Sequence, residues 1–296
     1  MKASPLISVI TVVYNDKVGF EQTAKSVISQ TAYSKIEWIV IDGNSNDGTK
    51  DIIYKHRDYI SHTISEPDNG IYDAMNKGIS LVQGLYCIFM NAGDLFSNDT
   101  VIEDVIKEPF FGKADYISGN TYLTKKGVIV EKIKSPTEIT GKYFYTNSLN
   151  HQSTLIRSQR LKNVGGYDTN YKLVADAKFF FEDIIIRNRI YCKTNIYIAK
   201  YDIEGISSTK YYLVAEEREQ FLQTLIPPRI NTDYKRFVNG GTILERILIK
   251  TDEQSIIYKA ITLLAIILYS PIAIKGRLHL KFKRKRKIRN KKLIHK

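Results

Sequence analysis

The feature that most constrains this chain is an alternation in its first 95 residues, in which continuous apolar runs, polar loops and helix-period segments follow one another. Leu6 to Tyr14 is β-branched and too apolar for a surface strand. Phe20, Ala24, Val27 and Ile28 then recur at helical spacing, to about Gln30. Ile36 to Ile41 is a second strand of the same kind, and a helix follows from Thr49 to about His56. Ile60 to Ser65 is a weaker strand. Ile71, Ala74, Met75, Ile79 and Val82 line a third helix, with Gly84 placed as its terminator. Leu85 to Met90 is apolar without alternation, as a strand buried on both faces must be. Such an order predicts βαβ units with right-handed crossovers and a parallel sheet.

The prediction has a chemical consequence. Tyr14, Asp42 and Asp94 follow the first, second and fourth strands, so all three converge on the carboxyl edge of the sheet, where open α/β sheets bind ligands. Taken singly, each has a plainer reading. Asn91, Gly93 and Asp94 are ordinary turn formers, Asp42 is a turn cap and Tyr14 packs at the core edge. The chain has no G-x-G-x-x-G loop and no G-x-x-x-x-G-K-[ST] loop, which disfavours a dinucleotide site and a P-loop. A divalent metal on Asp94 then becomes the better phosphate anchor.

Past Asp94 the pattern changes. Thr100 to Lys107 reads as a short helix and Ala114 to Ser118 as a strand. Asn120 to Thr124 and Gly127 to Ile133 form a hairpin about Lys125 and Lys126. Residues 135–147 read as a loop. This half adds antiparallel pieces and makes the sheet mixed. Gly165 and Gly166 mark a tight turn, and Asp176 opens an apolar-periodic helix, where an acid is favoured by the helix dipole. Residues 210–225 read as a helix with Glu216 to Glu219 on a solvated face. Pro227 and Pro228 end it, and 229–240 read as a linker.

Net charge of +13 resembles a nucleic-acid signature until it is located. Residues 275–296 hold twelve Lys or Arg and no acid, which leaves 32 bases against 31 acids in the remainder. The basicity is a tail beside a nearly neutral body. That distribution disfavours a nucleic-acid-binding protein, which needs basic and aromatic residues across its folded surface. Residues 256–274 are nearly all apolar but broken by Lys259 and Pro271, short for a bilayer span of about 20 residues. Beside a polybasic tail they read as an in-plane or shallow anchor to an anionic membrane surface, with a buried core helix as the alternative. The two cysteines, Cys87 and Cys192, lie in apolar runs without metal spacing, which fits a reducing compartment, and no secretory signal is expected at the N-terminus.

The loops also carry a family resemblance. Ser8 to Asn15, Ile41 to Thr49, Glu66 to Gly70 and Asn91 to Asp94, each at a strand end and in this order, resemble the signatures of family 2 glycosyltransferases with the GT-A fold. Asn150 to Ser153, Gly165 to Asp168 and Asp176 before an aromatic helix resemble the acceptor half of that family. The resemblance implies a nucleotide-sugar donor, with Tyr14 against the base, Asp42 on the base edge, and Asp68 and Asn91 in the nucleotide-sugar site. It implies a Mn or Mg ion on Asp94. The family's usual Asp-x-Asp-Asp segment is here Asn91-Ala92-Gly93-Asp94, so only the last carboxylate is kept. It also implies that Asp176 is the general base of an inverting transfer, because a sugar hydroxyl is a poor nucleophile until its proton is removed. His151 would bind phosphate or acceptor.

The expected protein is α/β: a GT-A-like, mixed but mainly parallel sheet flanked by helices, with a helical C-terminal extension. The catalytic domain is expected over 1–225, with a nucleotide-sugar half at 1–95 and an acceptor half at 96–225. A membrane-associating extension is expected over 226–296. The expected activity is sugar transfer to a glycan precursor, lipid-linked, in cell-surface polysaccharide synthesis. The expected place is the cytoplasmic face of the bacterial membrane, peripheral or monotopic, with no nucleic acid as partner. A sugar nucleotidyltransferase is the enzymatic rival, but it resembles proteins that need a Gly-rich basic loop after the first strand, and Tyr14-Asn15-Asp16 is unlike one.

Overall fold

The computed structural model describes residues 4–203 and 211–235, with four further positions between 259 and 264. The chain divides into two compact units, 1–227 and 228–296. The first contains the sheet.

β1 (Ile7–Val13), β2 (Ile36–Asp42) and β4 (Tyr86–Phe89) are buried at every position, as their unbroken apolar character requires. β1 pairs in parallel with both, Ile10 lying level with Ile39 and with Phe89. β3 (His62–Ser65) pairs in parallel outside β2 and is half exposed. Helices α1 (Lys17–Ile28), α2 (Thr49–Lys55) and α3 (Ile71–Leu81) make the crossovers, and α4 (Val101–Ile106) follows β5 (Leu95–Phe96). Phe20 of α1 stacks on Trp38 of β2 with ring centroids 6.0 Å apart, and both are fully buried. Each such ring contributes about 1.5–3 kcal/mol of burial.

The second half adds β6 (Tyr116–Lys125), β7 (Val128–Ile133), β8 (Thr154–Arg157) and β9 (Tyr191–Asp202). The sheet runs β3-β2-β1-β4-β8-β6-β9-β5, with β7 hydrogen-bonded to β6. β8 is antiparallel to β4 on one side and to β6 on the other, so β6 regains the direction of β1, and β9 runs parallel to it. The carboxyl ends of β1, β2, β4, β6 and β9 therefore share one edge. Helices α5 (Gly141–Thr146), α6 (Ser158–Val164), α7 (Ala175–Phe180, continued by a π-helical turn over Phe181–Ile186) and α8 (Tyr211–Leu225) belong to this half. This is the mixed α/β sheet expected of a GT-A fold.

Several local expectations are corrected. Gly84 does not terminate α3, which ends at Leu81. A Cβ on Gly84 would lie 2.6 Å from Ser8 N, so its absence lets the chain pass against β1. The strand pieces proposed on either side of Gly119 are one strand, β6, because Ile198 of β9 fills the space a Gly119 side chain would need. Residues 135–147 are not all loop: Thr140 caps α5 by accepting from Tyr143 N at 3.2 Å. The polar run on α8 is solvated only in part: Glu216 and Glu219 are exposed, but Glu217 is buried and accepts from Lys172 N and Leu173 N, both at 2.9 Å. The stretch from 229 begins in a helix, α9 (Pro228–Lys235), with Pro228 at its first position, where no amide hydrogen is needed. Residues 236–240, most of the apolar run 256–274 and the basic tail lie outside the described residues. Among the described residues, no helix is long and apolar enough to cross a membrane.

Candidate active site

The loops at the carboxyl edge enclose a cavity of about 560 Å³. Its walls include Tyr14, Asp16, Gly43, Pro67, Asp68, Ile71, Asn91 and Ala92, drawn from the ends of β1, β2, β3 and β4. Tyr14 and Ile71 are exposed apolar groups on this wall. Asn15, at φ 49°, turns the chain after β1, and its amide donates to Ser45 Oγ at 2.8 Å. A Cβ on Gly43 would meet Tyr14 Cδ2 at 3.2 Å and Asp68 Oδ2 at 3.0 Å, so a glycine there sets how closely these two approach.

Asp42 is placed differently from Tyr14 and Asp68. It is fully buried, and its carboxylate accepts from Ser45 N at 3.1 Å and Ser65 Oγ at 2.5 Å. It ties the β2 loop to β3, and Gly43 presents the wall in its place. Asp68 reaches the cavity and is held there by Lys77 Nζ at 2.6 Å. Lys77 also meets Glu66 at 2.9 Å. Its spacing four residues after Asp73 was the available signal for an acid-binding lysine on α3, but nothing local pointed it at Asp68.

The Asn91–Asp94 turn is built by Thr23 of α1. Thr23 Oγ1 accepts from Gly93 N at 3.0 Å and donates to Asp94 O at 2.8 Å. Gly93 takes φ 91°, the left-handed conformation that glycine adopts without strain. Asp94 is buried, and burial pushes its pKa up to about 7, opposed by the charge of His151, the Asn91 amide and Gln152. Asn91 Oδ1 is buried and has no hydrogen-bond partner. A costly buried carboxylate beside an unpartnered amide oxygen is an oxygen donor set that suits a hard divalent cation. Among the described residues, no three His, Cys, Asp or Glu side chains form a metal cluster.

Asp176, on the first turn of α7, does more than cap a helix. Its Oδ1 accepts from Tyr72 Oη at 2.7 Å and its Oδ2 lies 3.0 Å from His151 Nδ1. Burial opposes its charge, but the His151 hydrogen bond and charge, then Tyr72, hold its pKa below the ordinary aspartate value. His151 is shifted the other way: burial opposes its charge, yet Asp176 and then Asp94 raise its pKa. His151 Nε2 is buried without a partner. The imidazole thus feels both carboxylates, one on the turn after β4 and one on α7. Tyr72 carried no signal in the sequence beyond its place on an amphipathic helix. The same holds for Arg218 of α8, which donates to Phe144 O at 3.0 Å and Asn147 O at 2.7 Å. Burial lowers its pKa against the opposing charge of Asp176.

The mixed sheet, with its loops gathered at one carboxyl edge, is similar to that of GT-A glycosyltransferases. The family model "Glycosyl transferase family 2" matches residues 8–169, and the chain belongs to that family. An uncharacterized glycosyltransferase of Mycobacterium tuberculosis is 30% identical over 213 residues, covering 70% of this chain and 79% of that one. TuaG of Bacillus subtilis, named for teichuronic acid biosynthesis, is 31% identical over 140 residues, 46% of this chain and 55% of its own. Among solved structures, Staphylococcus aureus TarS 1–349 in complex with UDP-GlcNAc superposes with a TM-score of 0.56 at 17% identity, over 81% of this chain and 77% of that one. The mannosyltransferase PcManGT of Pyrobaculum calidifontis, with GDP-Man and Mn2+, gives 0.58 at 14% identity over 90% and 81%. At such identities the structural likeness speaks for the fold alone.

Proposed function

We propose that the protein is an inverting glycosyltransferase that moves a sugar from a nucleoside-diphosphate sugar to a hydroxyl of a lipid-linked glycan precursor, at a membrane surface. The observation that carries the reading is His151, which couples the buried carboxylate at the end of β4 to the one on α7. One carboxylate serves the donor side and the other the acceptor side.

In this reading the base lies between Tyr14 and Ile71, and Asp68 and Asn91 contact the nucleoside and diphosphate. Asp42 holds the β2 loop; reading the base edge through its carboxylate requires the loop to open, since the carboxylate is fully buried. Asp94 and Asn91 Oδ1 would hold a Mn or Mg ion, which when bound neutralises charge on the departing diphosphate. Asp176 takes the proton of the attacking hydroxyl as the new glycosidic bond forms on the opposite face from the leaving group. The diphosphate leaves with the electron pair of the broken bond. The low pKa of Asp176 keeps it ionised at neutral pH, and Tyr72 and His151 fix which lone pairs remain for the acceptor. That TuaG is named for teichuronic acid biosynthesis, and other relatives for PGL/p-HBAD biosynthesis, supports a cell-surface product. The apolar run and basic tail beyond residue 255 support a peripheral or monotopic association with the cytoplasmic membrane face.

The test is turnover of UDP-, GDP- and dTDP-sugars by the full chain with Mn²⁺ or Mg²⁺, read as nucleoside diphosphate release. Release from one donor class, with inversion at the anomeric carbon by NMR, is the expected result. Absence of release from every donor together with no nucleotide binding would sink the reading.

A further inference from the structure

The β6–β7 hairpin is the one stretch of described sheet whose apolar residues are left uncovered on both faces. Val128, Ile129 and Val130 are 65%, 44% and 54% exposed. Successive strand side chains point to opposite faces, so no single packing layer could cover all three. β7 is hydrogen-bonded only to β6, and its outer edge is free among the described residues.

Charge surrounds this apolar tip. Lys125, Lys126, Lys132 and Lys134 flank it, with Glu131 as the only acid from 125 to 134. Lys132 lies over the Tyr122 ring at 5.6 Å, and no described ion pair involves any of the four lysines. Bulky aliphatic residues ringed by unpaired lysines match the chemistry of a bilayer interface with anionic headgroups.

The position of the tip is set by register. Tyr122 of β6 lies level with Lys200 of β9, and Lys200 pairs with Leu95, the residue after Asp94. Lys125 is three residues further along the strand, so the tip extends roughly 10 Å past Leu95 on the edge that bears the candidate active site. A membrane touching the tip faces that edge.

We infer that the β6–β7 hairpin is a second membrane-docking element, which inserts Val128, Ile129 and Val130 at the surface of an anionic bilayer and turns the active-site edge towards it. It deepens the membrane reading above, on which it rests for its purpose, but the surface itself does not depend on transfer activity. A second copy of the chain pairing along the free edge of β7 is the competing occupant. The lysines disfavour it, because they stand at both ends of β7 and pairing in either direction would bring like charges together.

The experiment uses the full chain, so that binding through the C-terminal tail is present throughout and the hairpin is read locally. The chain has one tryptophan, Trp38, which is fully buried and gives a constant background. Val130→Trp puts a reporter at an exposed strand position. With phosphatidylglycerol vesicles its emission is expected to shift to the blue and to be quenched by brominated acyl chains. With phosphatidylcholine vesicles neither change is expected. Adding Lys125→Glu and Lys126→Glu to that reporter is expected to weaken the emission response by about tenfold or more, since each lysine near an anionic surface contributes roughly a factor of five in affinity. Vesicle co-sedimentation without any quenching of the reporter overturns the inference, because the tail then binds alone. An emission shift that depends on protein concentration in the absence of vesicles overturns it in favour of self-association. Nucleotide-sugar turnover, measured separately, decides the catalytic reading and leaves these outcomes unchanged.

Discussion

His151 Nδ1 stands 3.0 Å from Asp176 Oδ2, while its Nε2 is buried without a partner. The two residues lie 25 positions apart in the acceptor half, on the short turn before β8 and on α7. Their pKa shifts are opposite in sign: each favours the charged form of the other. The pair orients a carboxylate that burial alone would have neutralised. Four predictions follow from this site and from the scaffold around it.

Asp176→Asn is expected to reduce transfer by about 10²–10⁴-fold while leaving donor affinity nearly unchanged. The amide still accepts from Tyr72, so the fold is kept. Single-turnover kinetics beside calorimetry of nucleotide-sugar binding checks it. Wild-type turnover in the variant would leave Asp176 as a helix-start acid, with the base elsewhere.

Asp94→Asn removes a buried carboxylate but keeps its shape and its bond to the Asn91 amide. The variant should melt no lower than the parent, because the charge it loses is costly in the free protein. Mn²⁺-stimulated donor binding should fall to the metal-free level. If calorimetry shows the same Mn²⁺ stimulation in the variant, Asp94 is not the ligand.

Glu21 offers a pH test remote from the site. Its pKa is lowered from 4.5 to about 2, by the hydrogen bond from His56 first and then by Lys55. A carboxyl with a depressed folded pKa adds stability that is present above its unfolded value and lost as pH falls through the folded one. The melting gap between the parent and Glu21→Gln should therefore close as pH falls from 4.5 to about 2. The partial exposure of Glu21 keeps the gap small. A gap that widens on acidification contradicts the assignment.

Gly84→Ala tests the close approach of the chain to β1. The added methyl lies 2.6 Å from Ser8 N and 2.9 Å from Ile7 C, both backbone atoms that cannot turn aside. Overpacking of this kind costs about 1–3 kcal/mol. Chemical denaturation should show a lower midpoint with an unchanged slope. An unchanged midpoint would mean that the strands separate there without cost.

The edge that bears the site was legible because it follows from strand order alone. Uninterrupted apolar runs have to be central strands, and parallel pairing then puts the loops that hold Tyr14, Asp42 and Asp94 at one edge; of the three, Tyr14 lines the cavity, while Asp42 and Asp94 are buried. The hairpin was legible too, from the Lys125-Lys126-Gly127 turn between two strand-like runs, and Lys126 and Gly127 both take positive φ there. Local pattern failed where a residue's role depends on what lies across the sheet. Gly84 and Gly119 are permitted only by close backbone or side-chain approach from β1 and β9, and sequence spacing carries no record of such distances.

What the sequence by itself determined is the α/β order, the carboxyl edge as the one that bears the cavity, and the basic tail as separate from a nearly neutral body. These depend on periodicity, on handedness and on where charges fall along the chain. The tertiary structure alone decided that Asp42 is enclosed by Ser45 and Ser65, that Glu217 and Arg218 turn inward, and that His151 and Tyr72 converge on Asp176. Apart from the Asp42–Ser45 turn, each of these joins residues more than twenty positions apart in the chain. Charge state and hydrogen-bond partner are set by the dielectric and the geometry of the folded surroundings, which no window of neighbouring residues encodes.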